Sequence, residues 1–204
     1  MRLSWLLAPP LCTACRLPAP AGGVLCAGCR RALEHLGAAR VVVAGVSVWA
    51  PLAYEGPARA IVRRLKFHGA LALAEHMAAA IAANAPSGLL EHPLVPVPSP
   101  PARRRLRGFC HAALLAAALE RRTGLPVVPA IAREDGEPRQ VGRARAERLR
   151  APPAFRAVRA GRGPVVLVDD VVTTGATLGA CAHALRGAGW RCGHAVAYAR
   201  TPVR

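Results

Sequence analysis

The sequence predicts an α/β protein, with a parallel sheet flanked by helices and a small cysteine-rich module at the amino end. Three observations lead to this class. A buried strand at 165–168 runs through a polar turn into an Ala/Leu-rich helical stretch that ends near Gly187. Strand-like and helix-like segments alternate upstream of it, as they do when helices connect parallel strands. Two Cys-x-x-Cys pairs precede all of these segments.

Length and composition limit the class of protein. The chain of 204 residues can hold one domain with a good core and a small appendage, and its hydrophobic fraction of 53% excludes disorder. No apolar run reaches the length of a membrane span, so we expect no membrane insertion. Residues 1–11 faintly resemble a signal peptide, but their short apolar core ends in Pro9-Pro10. We therefore predict a cytoplasmic protein.

The charge of the chain is strongly positive. Its 28 lysines and arginines outnumber 11 acidic residues, which gives a net charge of +17. Lys66 is the only lysine, as expected if a coding bias had replaced lysine by arginine, but that bias leaves the charge unchanged. A polyanionic partner such as nucleic acid stays open.

The two cysteine pairs predict a structural metal site. Cys12-x-x-Cys15 and Cys26-x-x-Cys29 are separated by ten residues, and four thiolates suit tetrahedral Zn²⁺. A disulfide framework and a redox pair are the alternatives; a reducing cytosol argues against the first, and the duplication against the second. We assign residues 1–45 to a zinc-ribbon-like module and 46–204 to the α/β domain.

The turn after the strand at 165–168 is the predicted ligand site. Asp169 and Asp170 follow the strand, and Thr173 to Thr177 lead into the helix. Ligands of open α/β sheets collect at the carboxyl ends of strands, and a helix amino terminus attracts phosphate. The acidic pair suits the hydroxyls of a ribose whose 5-phosphate lies in the turn. A helix cap after a core strand is the alternative interpretation.

A second group of cationic residues is predicted to bind pyrophosphate. A short extended segment at 94–98, whose prolines argue for a sheet edge or for the end of a strand, precedes a basic loop that contains Arg103, Arg107 and Gly108. Lys66 at the end of a helix is a further candidate, because a retained lysine suggests a need for a compact ammonium. A solvated arginine loop and a chance codon are the alternatives.

The remaining segments complete the predicted fold. Residues 133–153 are polar and predict a mobile lid, in which Gln140, Arg145 and Arg148 are the candidate ligand-facing side chains; a plain surface helix is the alternative. We also predict short helical structure at 30–37, helices at 57–69, 71–84 and 110–122, and strands at 41–54, 125–132 and 191–199.

Residues 167–177, which include the acidic pair and the polar turn, resemble a loop of a known enzyme class. Leu167-Val-Asp-Asp-Val-Val-Thr-Thr-Gly-Ala-Thr177 is similar to the phosphoribosyl-pyrophosphate (PRPP) loop of type I phosphoribosyltransferases. With the two cysteine pairs, Tyr54-x-Gly56, Leu65-Lys66-x-x-Gly69, Val95-Pro-Val-Pro98 and Arg107-Gly-Phe109, nearly the whole chain resembles the ComF family. That family usually has Asn-Gln where Cys110-His111 stand here, and Ala151 stands where an Asn is expected.

The resemblance implies a fold, ligands and roles for residues. It implies a type I phosphoribosyltransferase-like domain behind a zinc ribbon, and binding of PRPP or a phosphorylated nucleotide with Mg²⁺. Asp169 and Asp170 would be the catalytic pair, and the residues that bind the 5-phosphate would be Val171, Val172, Thr173, Thr174, Gly175, Ala176 and Thr177.

Two functions follow from the resemblance. The first is transfer of phosphoribosyl from PRPP to a nitrogen acceptor, with a role in DNA uptake during natural competence. The second is a non-catalytic accessory protein that binds PRPP, a nucleotide or single-stranded DNA beside other competence proteins. The aromatic content of 4% offers few rings for stacking on bases.

Overall fold

Helices and strands alternate along most of the chain in the computed structural model, which describes residues 10–68, 72–134 and 154–202. The helices are α1 (Ala27–Arg31), α2 (Gly56–His68), α3 (Ala72–Asn84), α4 (Pro101–Arg107), α5 (His111–Thr123) and α6 (Ala176–Gly187). The strands are β1 (Val41–Val43), β2 (Val46–Trp49), β3 (Leu52–Ala53), β4 (Leu94–Pro96), β5 (Ile131–Arg133), β6 (Phe155–Ala157), β7 (Gly163–Val172) and β8 (Trp190–Arg200). None of the helices in these ranges is long and apolar enough to cross a membrane.

The central sheet is mostly parallel, which confirms the predicted class. Its order is β1-β2-β8-β7-β4, and β3 also pairs with β8. All of these pairings are parallel except the β1–β2 hairpin. The proline-containing β4 lies at the end of this order, as predicted from the missing N–H of proline. Strands β5 and β6 form a separate antiparallel pair.

Helices cover both faces of the sheet. Because neighbouring residues of a strand point to opposite faces, Val166 and Val168 of β7 pack in one buried cluster and Val165 and Leu167 in another. The first cluster contains apolar residues of α2, α3 and α5. The second contains the apolar side of α6. This arrangement fixes the ends of β7 and α6 relative to each other.

The cysteine-rich segment packs directly on the sheet. Cys12 and Leu25 belong to the same buried cluster as Trp49 and Leu52, and the Trp49 indole Nε1 donates a hydrogen bond to the Gly37 carbonyl at 2.9 Å. The predicted division after residue 45 falls in the turn of the β1–β2 hairpin. Strand β1 therefore joins the sheet that the rest of the chain builds.

Three local predictions need correction. The strand expected at 125–132 is reduced to a bridge between Leu94 and Val127 and to β5, because Pro126 and Pro129 cannot donate to a ladder. The expected arginine loop is the helix α4, which Pro101 begins. The helix expected at 30–37 lies earlier and is shorter, at Ala27–Arg31.

The candidate lid residues Gln140, Arg145 and Arg148 lie outside the described residues.

Candidate functional site

The candidate ligand site lies where β7 passes into α6, at the carboxyl end of the parallel strands. Strand β7 is longer than predicted and includes both aspartates, because its ladder with β8 continues as far as Val172 opposite Arg200. Asp169 and residues 171–178 line a hollow of about 40 Å³, which we call the α6 hollow. It contains every residue predicted to bind the 5-phosphate.

Gly175 gives the α6 hollow its shape. Its φ of 72° is left-handed, a conformation that favours glycine. A Cβ at this position would lie only 2.4 Å from Cγ2 of Val43 in β1. The first N–H groups of a helix have no partner within the helix. In α6 the N–H of Ala176 donates to Oγ1 of Thr174 at 3.5 Å, and an anion at this point would compete for that donor. Thr173 and Thr174 are exposed beside them.

The acidic pair has two different environments. Asp170 is buried, with 1% of its surface exposed, whereas Asp169 is partly exposed and lines the α6 hollow. The backbone N–H of Asp170 donates to Oδ1 of Asp169 at 2.8 Å. Burial, together with the charge of Asp170, raises the pKa of Asp169 well above its usual range. Hydroxyl donors or a cation at Asp169 would stabilise its charged form.

Lys66 contacts Asp170, the buried member of this pair. Its Nζ lies 2.9 Å from Oδ2 of Asp170. We read it as an ion pair, because the distance is short and both side chains are largely buried, 19% and 2% exposed. The lysine that the sequence singled out is therefore next to the predicted catalytic carboxylates.

His111 and Ser99 belong to the site, although neither was predicted from the sequence to be a site residue. His111 begins α5, and its Nε2 lies 3.5 Å from Oδ2 of Asp170. Its Nδ1 lies 3.0 Å from the hydroxyl of Ser99, which is itself buried. Ser99 and His111 are distant from Asp170 in sequence, and only the replacement of the usual Gln by His111 in the ComF resemblance could have drawn attention to it.

The imidazole of His111 is surrounded by cations. Burial lowers its pKa, the charge of Asp170 opposes this, and the charges of Lys66, Arg107 and Arg103 lower it further. The structure thus brings three of the four predicted pyrophosphate-binding residues into electrostatic range of one side chain. The described site has two carboxylates and three cations, Lys66, Arg103 and Arg107, and this excess of positive charge suits an anionic ligand.

Gly108 caps helix α4 and does not lie in a loop. Gly108 ends the helix with a left-handed φ of 78°, and its N–H donates to the carbonyl of Arg104 at 2.8 Å. That N–H is therefore occupied within the helix cap, whereas the backbone had been predicted to contact pyrophosphate. Arg103 is exposed, and Arg107 lies with its Cζ 4.8 Å from the centre of the Phe67 ring.

The four cysteines of the amino-terminal segment form a second candidate site. The sulfur atoms of Cys12, Cys15, Cys26 and Cys29 all lie within 4.8 Å of one another, so they could hold a metal ion such as zinc. Four sulfurs around zinc at about 2.3 Å would lie roughly 3.8 Å apart, close to the 3.6 Å between Cys15 and Cys26. Cys26 also caps α1, where its sulfur accepts from the N–H of Cys29 at 3.5 Å.

Protonation of these thiols is unequal. Burial acts to raise the pKa of Cys12, but hydrogen bonds from backbone N–H groups outweigh it and lower the pKa to about 6. The Cys15 side chain and burial raise the pKa of Cys29 to about 12. Successive thiolates repel one another in so small a space, and a dication would remove that repulsion.

Comparison with known proteins adds nothing to this geometry: no family model matches the chain, and no curated protein matches it significantly.

Proposed function

We propose that this protein is a ComF-like member of the type I phosphoribosyltransferases, which binds PRPP and transfers its phosphoribosyl group to a nitrogen acceptor. The observation that carries the proposal is the α6 hollow with Asp169 on its wall, the buried Asp170 beside it, and Lys66 and His111 behind. A sugar phosphate has the matching order of groups: an anion at one end, a pair of hydroxyls, and a reactive carbon beyond them.

Each part of the ligand has a chemical partner in this arrangement. The 5-phosphate would lie in the α6 hollow against the first N–H groups of the helix and the hydroxyls of Thr173, Thr174 and Thr177. The ribose hydroxyls would donate to Asp169, which lines the α6 hollow, whereas the buried Asp170 would act through its contacts with Lys66 and His111. The pyrophosphate would face Lys66, Arg103 and Arg107, whose charges offset its own.

The reaction conserves atoms and electrons without a redox partner. The bond between C1 and the pyrophosphate oxygen breaks, and its electron pair leaves with the pyrophosphate. The lone pair of the acceptor nitrogen forms the new C1–N bond, and the nitrogen gives up a proton to water or to the leaving pyrophosphate. The carboxylates stabilise the positive charge that develops on the sugar, while the cations stabilise the leaving group.

Two metals belong to the proposal. Asp169 would supply the carboxylate oxygens that Mg²⁺ prefers, because it lines the α6 hollow, whereas Asp170 is buried. When bound with PRPP, Mg²⁺ would offset the charge of the pyrophosphate. Zn²⁺ at the four cysteines would have a structural role, since a closed four-thiolate site leaves no position for substrate.

Binding of PRPP tests the site. We expect PRPP with Mg²⁺ to raise the melting temperature, because a ligand at a hundred times its Kd stabilises the folded state by about 2.7 kcal/mol. Asp169→Asn and Asp170→Asn should abolish that rise. Glu91→Gln, which removes an exposed carboxylate outside the site, should keep it. A rise that survives both aspartate substitutions would contradict the site assignment.

Turnover requires a separate measurement. Release of pyrophosphate from PRPP in the presence of a panel of nitrogen acceptors distinguishes a catalyst from a protein that only binds. The net charge of +17 favours the second candidate, an accessory protein that holds PRPP, a nucleotide or single-stranded DNA for the competence machinery. That candidate predicts binding without pyrophosphate release, and DNA affinity that falls steeply with added salt.

A further inference from the structure

A cavity at the amino end of the parallel strands lies far from the α6 hollow. It has a volume of about 540 Å³ and is lined by the first residues of β7 and β8, by His92 before β4 and by Arg186 of α6. We call it the amino-end cavity. Strand β7 runs from Val165 in the wall of this cavity to Val172 in the α6 hollow, a length of roughly 23 Å at about 3.3 Å per residue. The two sites are therefore separate.

The charged side chains of the amino-end cavity are all cationic. Arg186 and Arg191 line it, and none of its described lining residues is acidic. The Arg186 Nε donates to the Cys192 carbonyl at 2.8 Å and its Nη2 to the Gly45 carbonyl at 2.9 Å, so the guanidinium is held in place but its charge is not neutralised. Arg191 is exposed and has no ion pair among the described residues. Two guanidinium groups without a carboxylate suit a doubly charged anion such as a phosphate monoester.

A β-bulge lies in the wall of the cavity. The ladder between β7 and β8 shifts after Val165, and Gly193 is the extra residue of β8. His194 follows the bulge and lines the cavity. Its Nδ1 is buried, and neither ring nitrogen has a hydrogen-bond partner in the part of the chain that the structure describes. An unpaired polar group costs free energy, which a ligand that accepts a hydrogen bond from the imidazole would recover.

The rest of the wall is apolar and includes an aromatic ring. Pro164, Val165 and Trp190 contribute to it. The Trp190 indole is partly exposed, and its Nε1 donates to the Arg159 carbonyl at 2.9 Å, which fixes the plane of the ring. Planar rings such as nucleobases stack on aromatic faces of this kind. The volume lies in the usual range for small-ligand pockets, roughly 300–1,000 Å³, and leaves room for a ring beside an anion.

We propose that the amino-end cavity binds a small aromatic phosphate of nucleotide size, with its phosphate at Arg191 and His194 and its ring against Trp190. Nucleoside monophosphates are the biological class that combines these two groups. The inference does not rest on the proposed function, because none of the residues of the amino-end cavity belongs to the α6 hollow.

Tryptophan fluorescence reports on this cavity directly. Of the three tryptophans, Trp190 lines the cavity, Trp49 is fully buried, and Trp5 lies outside the described residues. With AMP, GMP, CMP and UMP as probes, at least one nucleotide should quench the emission with saturation. Inorganic phosphate should bind about tenfold or more weakly than that nucleotide, because it has no ring to stack. Trp190→Phe should lose the quenching but retain binding measured by calorimetry.

Three substitutions locate the ligand. Arg191→Gln should weaken binding of that nucleotide roughly ten- to a hundredfold, the effect expected for loss of one hydrogen bond to a charged group. Arg31→Gln removes an exposed arginine of α1 and should leave the affinity unchanged. Asp169→Asn, in the α6 hollow, should also leave the quenching unchanged.

Several results would overturn the proposal. They are an absence of saturable quenching by all four nucleotides, an equal affinity for inorganic phosphate, and equal affinities of the Arg191→Gln and Arg31→Gln proteins. Loss of quenching in Asp169→Asn would place the nucleotide in the α6 hollow and overturn the proposal as well. The rise in melting temperature with PRPP stays a separate test of the proposed function, so that either proposal can fail alone.

Discussion

At the scale of single residues, His111 connects the parts of the candidate site. Its ring lies between the Ser99 hydroxyl and the Asp170 carboxylate, at 3.0 and 3.5 Å. A neutral imidazole satisfies both neighbours if Nε2–H points at Asp170 and Nδ1 accepts the Ser99 proton, which then turns away from the Cys110 sulfur at 3.3 Å. In this tautomer His111 can hold the carboxylate in place without competing with Lys66 for its charge.

The pKa of His111 predicts how stability depends on pH. Burial lowers that pKa in the folded protein below the usual value of about 6.5. The unfolded chain therefore binds more protons than the folded one between the two values, so this residue makes stability rise with pH across that window. Its contribution is complete above about pH 6.5 and is lost as the pH falls toward the folded pKa.

Urea unfolding of His111→Gln at pH 5.0, 6.0 and 7.5 measures this contribution. The difference in unfolding free energy, wild type minus variant, should increase as the pH rises, by up to about 1.4 kcal/mol for each unit of pKa lowering. His183→Gln, which removes an exposed histidine of α6, serves as the control for loss of an imidazole. A difference that is constant with pH, or that grows as the pH falls, would contradict the assigned direction.

At the scale of elements, the β1–β2 hairpin supports the turn that begins α6. Val43 lies against Gly175, and Ala44 lies so close to Gly179 that a Cβ there would be 2.4 Å from the Ala44 Cβ. Arg186 at the other end of α6 donates to the Gly45 carbonyl at 2.9 Å. The N-cap residue and two residues of α6 therefore contact one short hairpin, which positions the helix amino terminus.

Gly175→Ala should damage both stability and phosphate binding. The left-handed φ costs a residue with a Cβ about 1–2 kcal/mol, and the clash with Val43 adds about 1–3 kcal/mol. Gly124→Ala is a matched control, since Gly124 has a φ of 74° and no atom within 4 Å of its added Cβ. Chemical denaturation should find the Gly175 variant less stable than the Gly124 variant, and only the former should lose affinity for ribose 5-phosphate.

Sequence patterns predicted the helices and strands well where the signal is local. The helices predicted at 57–69 and 71–84 match α2 and α3 to within a residue or so, and the strand predicted at 165–168 lies within β7. The strand predicted at 125–132 was wrong, because Pro126 and Pro129 interrupt the ladder despite the apolar character of the segment. The hairpin contact with Gly175 could not be predicted, since residues 43 and 175 meet only in the folded chain.

At the scale of the whole molecule, the cysteine-rich segment and the sheet share one buried cluster. Cys12 and Leu25 lie in it, respectively 0% and 2% exposed, together with Trp49 and residues of α2 and α3. The cysteine spacing was sufficient to predict the four-sulfur group, because two Cys-x-x-Cys pairs bring their own ligands together. It could not predict that one of these cysteines, Cys12, would also be a core residue of the α/β domain.

This shared core predicts that loss of the metal destabilises the entire protein. Purified protein should contain about one zinc per chain, and a chelator should lower the melting temperature of the single cooperative transition. Cys12→Ala should lower zinc content and melting temperature together. Cys181→Ala, which truncates an equally buried cysteine outside the cluster, should cost packing but leave zinc content unchanged.

The two readouts separate a metal effect from a packing effect. Zinc content comes from elemental analysis and stability from calorimetry with and without chelator. If the chelator removes zinc from wild-type protein and the melting temperature stays constant, the cysteine segment does not stabilise the sheet through a metal. If both cysteine variants lose the same stability and keep the same zinc, the metal is bound elsewhere. The expected pattern is a chelator-sensitive Cys181→Ala protein and a chelator-insensitive Cys12→Ala protein, because only the first retains four thiolates at the amino end.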